Sequence, residues 1–339
     1  MGKVLKIFTL GNVDNYFDEA QKNITKRLSS ELSKIHNVRY DNAKRNVFNM
    51  SFWKNLNKFK PDIIHVFLRP TTFVLLYANI FKLFSWKSKI VISAFQPPLI
   101  IWGLDSLISY IQPDLFVTIT NKLANHFEKF KCKVRVLPCG VDIHKFQPIT
   151  DELRNQLRKK YGLPLDKFIV LHVGHSTKGR NLPLLKNISK NDNIQVVFVS
   201  SKSFNIENSL IEELLNSGCH VITDYLENIQ EIYQLSDCYV FPTINESNSI
   251  GLPLSVLEAM ACNIPIITTK FGALPELFGE DDSFLFFNGT DEDLCAKIKI
   301  IMKSASKINN RDKVLEFDWQ NVTRKLEGIY LHLLSGQMK

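Results

Sequence analysis

The second half of the sequence contains a turn rich in glycine and basic residues, Gly174-His175-Ser176-Thr177-Lys178-Gly179-Arg180-Asn181. It follows a run of β-forming residues and predicts a helix that begins near Asn181. Free N–H groups at a helix N-terminus attract anions, and Lys178 and Arg180 add two cations beside them. The turn therefore predicts a pyrophosphate site. The alternative is a basic surface turn in which Asn181 caps the helix.

A second candidate follows the β-forming run 238–242, where Gly251-Leu252-Pro253 leads into an apolar helical segment. The first turn of this helix is expected to present unpaired backbone N–H groups, and Glu258 lies further along it. A carboxylate on a mostly buried helix requires hydrogen-bond donors, and two ribose hydroxyls would satisfy it. The segment predicts a nucleotide-binding carboxylate, unless Glu258 caps a neighbouring loop.

Two common nucleotide-binding motifs do not fit these turns. A nicotinamide-binding Rossmann domain needs G-x-G-x-x-G after its first strand, and the sequence there offers only Gly11-Asn12-Val13-Asp14. In the later turn, Lys178 precedes Gly179 and no Ser or Thr follows in place, so the turn is not a Walker A loop. Dinucleotide-binding and P-loop interpretations are therefore weak.

Short β-forming runs alternate with helical patterns along both halves of the chain, which is typical of βαβ units and parallel sheets. The predicted strands are 4–10, 38–40, 63–67, 90–94, 115–118, 134–137, 168–173, 194–199, 220–223, 238–242, 264–268 and 284–287. The predicted helices are 18–35, 72–84, 121–130, 182–188, 211–217, 228–235, 253–262, 292–304 and 318–334. We expect an α/β protein of two doubly wound domains with a linker at 139–150. Ligands of such domains bind beyond the carboxyl ends of the strands, where both candidate turns lie.

Composition and charge narrow the class of protein. The chain has 339 residues, 45% of them hydrophobic, which fits two domains and excludes a disordered chain or a small disulfide scaffold. Its six cysteines show no CxxC pair and no histidine at zinc-finger spacing, so we expect reduced thiols of a cytoplasmic protein. Residues 1–150 carry 22 basic and 10 acidic side chains, a net +12, whereas residues 151–339 carry 20 and 24, a net −4.

Four segments together resemble the retaining glycosyltransferases of family 4, also called glycosyl transferases group 1. They are VLPCGVDIHKFQP, LHVGHSTKGRNLPLL, DYLENIQEIYQLSDCYVFPT and GLPLSVLEAMACNIPIITTKFGALPEL. The similarity covers nearly the whole chain and is densest from 134 to 287, while the first half agrees mainly in layout. It implies the GT-B fold, in which two Rossmann-like parallel-sheet domains face each other across a cleft. The implied parts are an acceptor-binding domain at 1–146, a nucleotide-sugar donor-binding domain at 147–317 and a C-terminal helix at 318–339 that packs back on the first domain.

The resemblance also implies site residues. Lys178 matches the family's lysine on the donor diphosphate, Glu258 its carboxylate on the ribose, and His175 stands where the family commonly has an arginine. The remaining donor-binding positions that it implies are Gly11, Asn12, Gly174, Arg180, Tyr225, Leu226, Gly251, Leu252, Pro253 and Leu254.

Two positions depart from the family pattern. The family's E-x7-E pair requires a glutamate where this chain has Ile250, and the nearest carboxylate is Glu246 in the local insertion ESNS. Either Glu246 reaches the sugar hydroxyls, or amides and the side chains of 247–249 hold the sugar. The histidine that often follows the fourth strand is missing, and Gln96 is the nearest polar candidate. We take Lys178, Glu258, Glu246 and Gln96 as the candidate catalytic residues.

The acceptor side is expected to include His65 and Gln96, although His65 could equally be a hydrogen-bonded core histidine. The implied activity moves a sugar from a UDP- or GDP-sugar to a glycan or lipid-linked acceptor with retention of configuration. It needs no metal and no cofactor besides this co-substrate. The departures leave two alternatives open, a nucleotide-sugar-binding protein without transferase activity and a GT-B nucleotide-sugar epimerase.

The basic first half also predicts a partner. The tract 73–86 places Phe81, Phe84 and Trp86 among lysines, a pattern typical of segments that lie on an anionic bilayer. The alternative is an ordinary solvated face. We expect a peripheral position on the inner face of the cell membrane, and no motif in the sequence favours nucleic acid.

Overall fold

A computed structural model describes residues 3–11, 20–42, 49–99, 108–200, 207–304 and 308–337. The chain divides into two compact units, Met1–Cys139 with Trp319–Lys339, and Gly140–Asp318. Each unit contains a six-stranded parallel sheet with helices packed against it. The predicted α/β fold of two doubly wound sheets is confirmed.

The first unit has the strand order β2-β1-β3-β4-β5-β6. Its strands are β1 (Lys6–Gly11), β2 (Asn37–Asn42), β3 (Ile63–Phe67), β4 (Lys89–Ala94), β5 (Leu115–Thr118) and β6 (Val134–Val136). Its first four helices are α1 (Ala20–Ser33), α2 (Met50–Phe59), α3 (Thr72–Phe84) and α4 (Asn121–Glu128). The central strands are buried on both faces, which explains why they read as continuous apolar runs.

The second unit has the strand order β12-β11-β10-β7-β8-β9. Its strands are β7 (Phe168–Gly174), β8 (Ile194–Ser200), β9 (His220–Ile222), β10 (Cys238–Phe241), β11 (Ile266–Thr268) and β12 (Phe284–Phe286). Its helices are α5 (Asp151–Lys160), α6 (Pro183–Ile188), α7 (Asn208–Asn216), α8 (Gln230–Gln234), α9 (Leu254–Ala261), α10 (Leu274–Leu277) and α11 (Asp291–Lys303). In this order β7 and β10 are neighbours at the centre of the sheet, so the loops that follow them lie at one edge.

The last helix, α12 (Trp319–Leu334), belongs to the first unit and packs against α1. Its Tyr330 hydroxyl lies 2.5 Å from His65 Nδ1, and Glu327 lies 3.3 Å from His36 Nε2. Segment 140–146 is attached to the second unit instead, because Arg311 donates hydrogen bonds to the carbonyls of Ile143 and Phe146.

The α3 segment corrects one detail of the sequence interpretation. Phe81 was expected on a lipid-facing surface, but its side chain is fully buried in the core of the first unit. There it packs against the rings of Trp53 and Tyr77. Phe84 and Trp86 are exposed, as the prediction required.

Candidate functional site

The basic turn leaves the carboxyl end of β7. Gly174 ends the strand, residues Lys178–Arg180 form one turn of 3-10 helix, and α6 begins at Pro183. The helix predicted at 182–188 occurs at Pro183–Ile188 with Leu182 at the N-cap position, so only the alternative in which Asn181 caps the helix is wrong. Asn181 adopts a left-handed conformation (φ 58°) and its amide donates to the carbonyl of Gly289 (3.3 Å), so the chain reverses before the helix starts.

Arg180 points inward from this turn and is only 7% exposed. A Cβ atom added to Gly174 would lie 2.6 Å from Arg180 Nη1, so the guanidinium occupies the space that the glycine leaves. Among the described residues, no carboxylate forms an ion pair with Arg180, and its buried Nε has no hydrogen-bond partner. Burial lowers the pKa of the guanidinium, as expected of a cation removed from water. The turn therefore holds a buried positive charge that no carboxylate of the described residues neutralises.

His172 lies beside this guanidinium, on β7. Its Nδ1 is 2.8 Å from the carbonyl oxygen of Val240, which assigns the proton to Nδ1. Its Nε2 is buried without a hydrogen-bond partner in the described part of the chain. Burial, together with the charge of Arg180, lowers the pKa of His172 to about 3. His172 is therefore neutral and leaves an acceptor nitrogen near Arg180.

Glu258 lies on α9, whose N-cap Pro253 offers no side-chain acceptor to the amides of the first turn. The hydroxyl of Tyr233 donates to Glu258 Oε2 (2.7 Å), and the ring of Tyr233 lies 5.9 Å from that of Tyr239. Tyr239 in turn donates to the carbonyl of Val173 (3.3 Å), one residue before Gly174. Two buried tyrosines, Tyr233 and Tyr239, therefore connect the half-buried carboxylate of Glu258 to the basic turn.

The insertion ESNS packs against the same turn. Residues Glu246–Asn248 form one turn of 3-10 helix, and Asn248 Nδ2 donates to the carbonyl of Gly179 (3.1 Å). A Cβ atom at Gly179 would overlap the Asn248 amide, which explains why the turn needs glycine here. Glu246 is half-buried and Ile250 is buried. The insertion thus positions the basic turn, and a contact between Glu246 and a sugar stays a prediction.

The structure places the other residues that were predicted on the donor side as follows. Leu252 and Pro253 are buried, whereas His175, Leu226 and Leu254 are half-buried. Tyr225 is 66% exposed in the loop between β9 and α8, where it is accessible to a base. Asn12 and the side chain of Lys178 lie outside the described residues.

On the first unit, His65 is fully buried and both ring nitrogens are engaged, Nδ1 by Tyr330 and Nε2 by the hydroxyl of Ser93 (2.8 Å). Burial lowers its pKa to about 3, so it is neutral. This geometry is that of a core histidine and favours the alternative over an acceptor contact. Gly11 is buried at the end of β1, where a Cβ would lie 2.7 Å from Thr25 Cγ2, and Gln96 is half-buried in a bend after β4.

Sequence reasoning missed Gly272, which supports the turn before α9. Gly272 has φ 53°, and a Cβ atom there would lie 2.0 Å from the carbonyl oxygen of Gly251. The same oxygen accepts a hydrogen bond from the amide of Ala273 (2.8 Å). The only signal in the sequence was the glycine within KFGALPEL.

We expect Gly272→Ala to impair both folding and ligand binding. The left-handed backbone alone costs about 1–2 kcal/mol for a residue with a Cβ, and the overlap must also push Gly251 away from its position. Gly162→Ala is the matched control, since Gly162 has φ 66° and open space around its Cβ position. Urea denaturation and nucleotide titration should show a loss of stability in both variants but weaker binding in Gly272→Ala alone. Equal binding by the two variants would contradict the role given to the Gly251 turn.

Two negative findings apply to the described residues. No group of three or more His, Cys, Asp or Glu side chains in these ranges is arranged to hold a metal ion. No helix in the same ranges is both long and apolar enough to span a membrane. All six cysteines are free, and Cys295 is the one that is not buried.

Comparison with known proteins agrees with this arrangement. Residues 154–314, which include Arg180 and Glu258, match the sequence profile of glycosyl transferases group 1. This segment, a little under half of the chain, resembles that family. The chain is 27% identical over 152 residues to TuaC of Bacillus subtilis (strain 168), named for teichuronic acid biosynthesis, and 28% identical over 211 residues to the sulfoquinovosyl transferase SQD2 of Arabidopsis thaliana. These matches cover 44% and 57% of the chain but only 36% and 39% of the two relatives.

Solved structures show the same fold over the whole length. A glycosyltransferase from Rickettsia africae superposes with a TM-score of 0.79 at 18% identity, covering 98% of this chain and 99% of that one. HepE from Anabaena, solved in complex with UDP and glucose, gives a TM-score of 0.73 at 12% identity and covers 96% and 99%. The chain therefore has the GT-B fold that the sequence predicted.

Proposed function

We propose that this chain is a group 1 glycosyltransferase that transfers a sugar from a nucleotide-sugar donor to a glycan or lipid-linked acceptor. The observation that carries the proposal is the buried Arg180, which has no carboxylate partner among the described residues. A buried cation is costly unless an anion neutralises it, and a diphosphate at the carboxyl edge of the sheet would do so. Glu258 supplies acceptors for the ribose hydroxyls of the same ligand.

The identity of the donor is part of the proposal. HepE was solved with UDP and with UDP-glucose, which makes a UDP-sugar the first candidate. A GDP-sugar is the second, from the resemblance of the motifs. Tyr225 is exposed and would lie against the base, and the amides around Leu254 would reach the phosphate.

We propose a metal-independent reaction with retention of configuration, assigned to hexosyl transfer. The bond between C1 of the sugar and the diphosphate oxygen breaks, and a bond between C1 and the acceptor oxygen forms on the same face. The leaving diphosphate takes the proton of the acceptor hydroxyl. Arg180, Lys178 and the free amides before α9 stabilise the charge that develops on the diphosphate, and each such donor is worth about 10²–10³ in rate. A lipid-linked acceptor would place the enzyme at the inner face of the cell membrane.

A donor screen tests this proposal. UDP-, GDP- and ADP-sugars are added to the full chain, and the melting temperature is measured; a ligand at 100 times its Kd should stabilise the native state by about 2.7 kcal/mol. The nucleotide sugar that binds is then incubated with acceptor candidates, and release of nucleoside diphosphate is followed. Stabilisation by none of the donors would refute the site. Binding without turnover would favour a non-catalytic binding protein, and formation of a C2 epimer would favour an epimerase.

A further inference from the structure

The outer face of α3 is an apolar stripe with no partner in the described part of the chain. Phe73, Leu76, Ile80 and Leu83 recur at helical spacing on this face, and Phe73 and Leu83 are 76% and 80% exposed. The other face of the same helix is buried in the core. Because a helix rises 1.5 Å per residue, the stripe is about 15 Å long. Isolated exposed apolar residues are normal, but a continuous stripe marks an interaction surface.

Two amphipathic aromatic residues extend the stripe. Trp86 follows the end of α3 and is 79% exposed. Tyr110 is exposed in a turn that lies beside the helix. The carbonyls of the next two residues, Ile111 and Gln112, accept hydrogen bonds from Asn79 and Lys82 of α3 and thereby hold the turn there. We call Phe73, Leu76, Ile80, Leu83, Trp86 and Tyr110 the α3 patch. Trp and Tyr beside aliphatic side chains are typical of surfaces at the boundary between water and lipid.

The two units of the chain differ in net charge. The first unit, Met1–Cys139 with Trp319–Lys339, carries 24 basic and 10 acidic side chains, a net +14, and the second unit carries a net −6. Exposed lysines on or next to α2 and α3, namely Lys54, Lys58, Lys60 and Lys87, have no carboxylate partner among the described residues. Lys87 Nζ lies 5.0 Å from the ring centre of Trp86, so a cation adjoins the apolar patch directly. Apolar and basic groups therefore occur on one surface.

We propose that the α3 patch binds the surface of an anionic lipid bilayer. The patch enters the boundary between headgroups and acyl chains, and the nearby lysines contact lipid phosphates. A second copy of the chain fits less well, because two units of net +14 would repel each other. This inference goes beyond the proposed transfer reaction and does not depend on it, since binding to lipid requires no donor.

Vesicle binding by the full chain tests the inference. The protein is mixed with phosphatidylcholine vesicles that contain or lack phosphatidylglycerol, without nucleotide sugar, and bound protein is measured by flotation. We expect binding to the anionic vesicles that weakens as salt is raised. The double variant Phe73→Glu/Leu83→Glu should bind about 100-fold more weakly, since each apolar side chain kept out of lipid costs about tenfold.

The matched control is Leu331→Glu, which changes an exposed leucine on helix α12 of the same unit. It should bind vesicles as the unchanged chain does, and the melting temperatures of all three proteins should agree. Lys54→Gln/Lys58→Gln should weaken binding about 30-fold at low salt, because each lysine near an anionic surface contributes about 1 kcal/mol.

Several outcomes would overturn the inference. Equal binding to neutral and anionic vesicles would show that lipid charge does not contribute to binding. Unchanged binding by the Phe73→Glu/Leu83→Glu variant would show that the α3 patch does not contact the vesicle. Absence of vesicle binding together with self-association that the double variant abolishes would make the patch an interface between copies of this chain. Salt-sensitive binding of RNA without binding of vesicles would assign the lysines to nucleic acid.

Discussion

Replacing Arg180 with methionine should weaken nucleotide-sugar binding and transfer without destabilising the protein. Methionine fills the buried space beside Gly174 but carries no charge, so the unpaired buried cation disappears. Because isolated buried charges cost free energy, the variant should unfold at the same urea concentration as the unchanged chain or at a higher one. The loss of one charged donor to the leaving diphosphate should lower kcat/KM by about 10²–10³.

Arg158 provides a matched control for this substitution. It is also buried, on helix α5 of the same unit, but its Nη2 donates to Asp237 Oδ2 (2.7 Å) and its Nε donates to the carbonyl of Leu235 (3.0 Å). This pair lies at the amino ends of β7 and β10, opposite to the edge that carries Arg180. We expect Arg158→Met to cost about 3 kcal/mol of unfolding free energy, because Asp237 loses its closest partner, and to leave nucleotide affinity unchanged in the folded protein.

Calorimetric titration separates the two variants. The chain is titrated with the nucleoside diphosphate identified by the donor screen and with the corresponding nucleoside, which lacks the phosphates. If Arg180 holds the diphosphate, Arg180→Met loses affinity for the diphosphate and keeps its affinity for the nucleoside. A stability loss in Arg180→Met equal to that in Arg158→Met, with unchanged diphosphate affinity, would show that Arg180 is a structural residue.

The sequence predicted the strands of both sheets closely, because a buried parallel strand appears in the sequence as a short run of mainly apolar residues. The strands 63–67 and 115–118 occur with the predicted bounds, as mainly apolar runs whose residues are all buried. Three of the described α-helices were not predicted, and one of them, Leu274–Leu277, is only about one turn long. Asp151–Lys160 buries only Leu157 and Arg158, so it lacks an apolar period, and its signals are the Thr150 cap and the charges at its ends. Met50–Phe59 does have an apolar period, because Phe52, Trp53, Leu56 and Phe59 are all buried on one face.

The sequence predicted which residues form the candidate site, but not how deeply they are buried or which residues surround them. Arg180 and Glu258 were identified from their positions after strands, which is where α/β proteins bind ligands. Burial of Arg180 depends on the space above Gly174 and on the left-handed turn at Asn181, which are tertiary features. His172 and Tyr239 lie inside apolar strands, where a polar residue gives no periodic signal. Phe81 was misplaced because the sequence could not show which side of α3 faces the core.

Replacing Glu258 should reveal which part of the donor this carboxylate binds. If it accepts hydrogen bonds from the ribose, the unchanged chain should prefer the ribonucleotide over its 2′- and 3′-deoxyribose analogues by a large factor, because each analogue leaves a buried carboxylate oxygen unpaired. Glu258→Ala should bind the ribonucleotide about 10²-fold more weakly and should no longer distinguish the analogues. Affinities of each protein for each nucleotide, measured by titration, give this discrimination directly.

Substituting Tyr233 should change ribonucleotide affinity only through its effect on Glu258. Its hydroxyl is buried and donates to Glu258 Oε2 (2.7 Å), so it orients the carboxylate without facing the ligand itself. A hydrogen bond to a charged group is worth about 1.5–3 kcal/mol, and Tyr233→Phe should therefore lower ribonucleotide affinity about tenfold and reduce discrimination against the deoxyribose analogues. In the Glu258→Ala background the same change should have no further effect on affinity, because the group that it positions is gone. Discrimination that survives in Glu258→Ala would place the ribose elsewhere and assign this carboxylate to the sugar or to the structure of the loop.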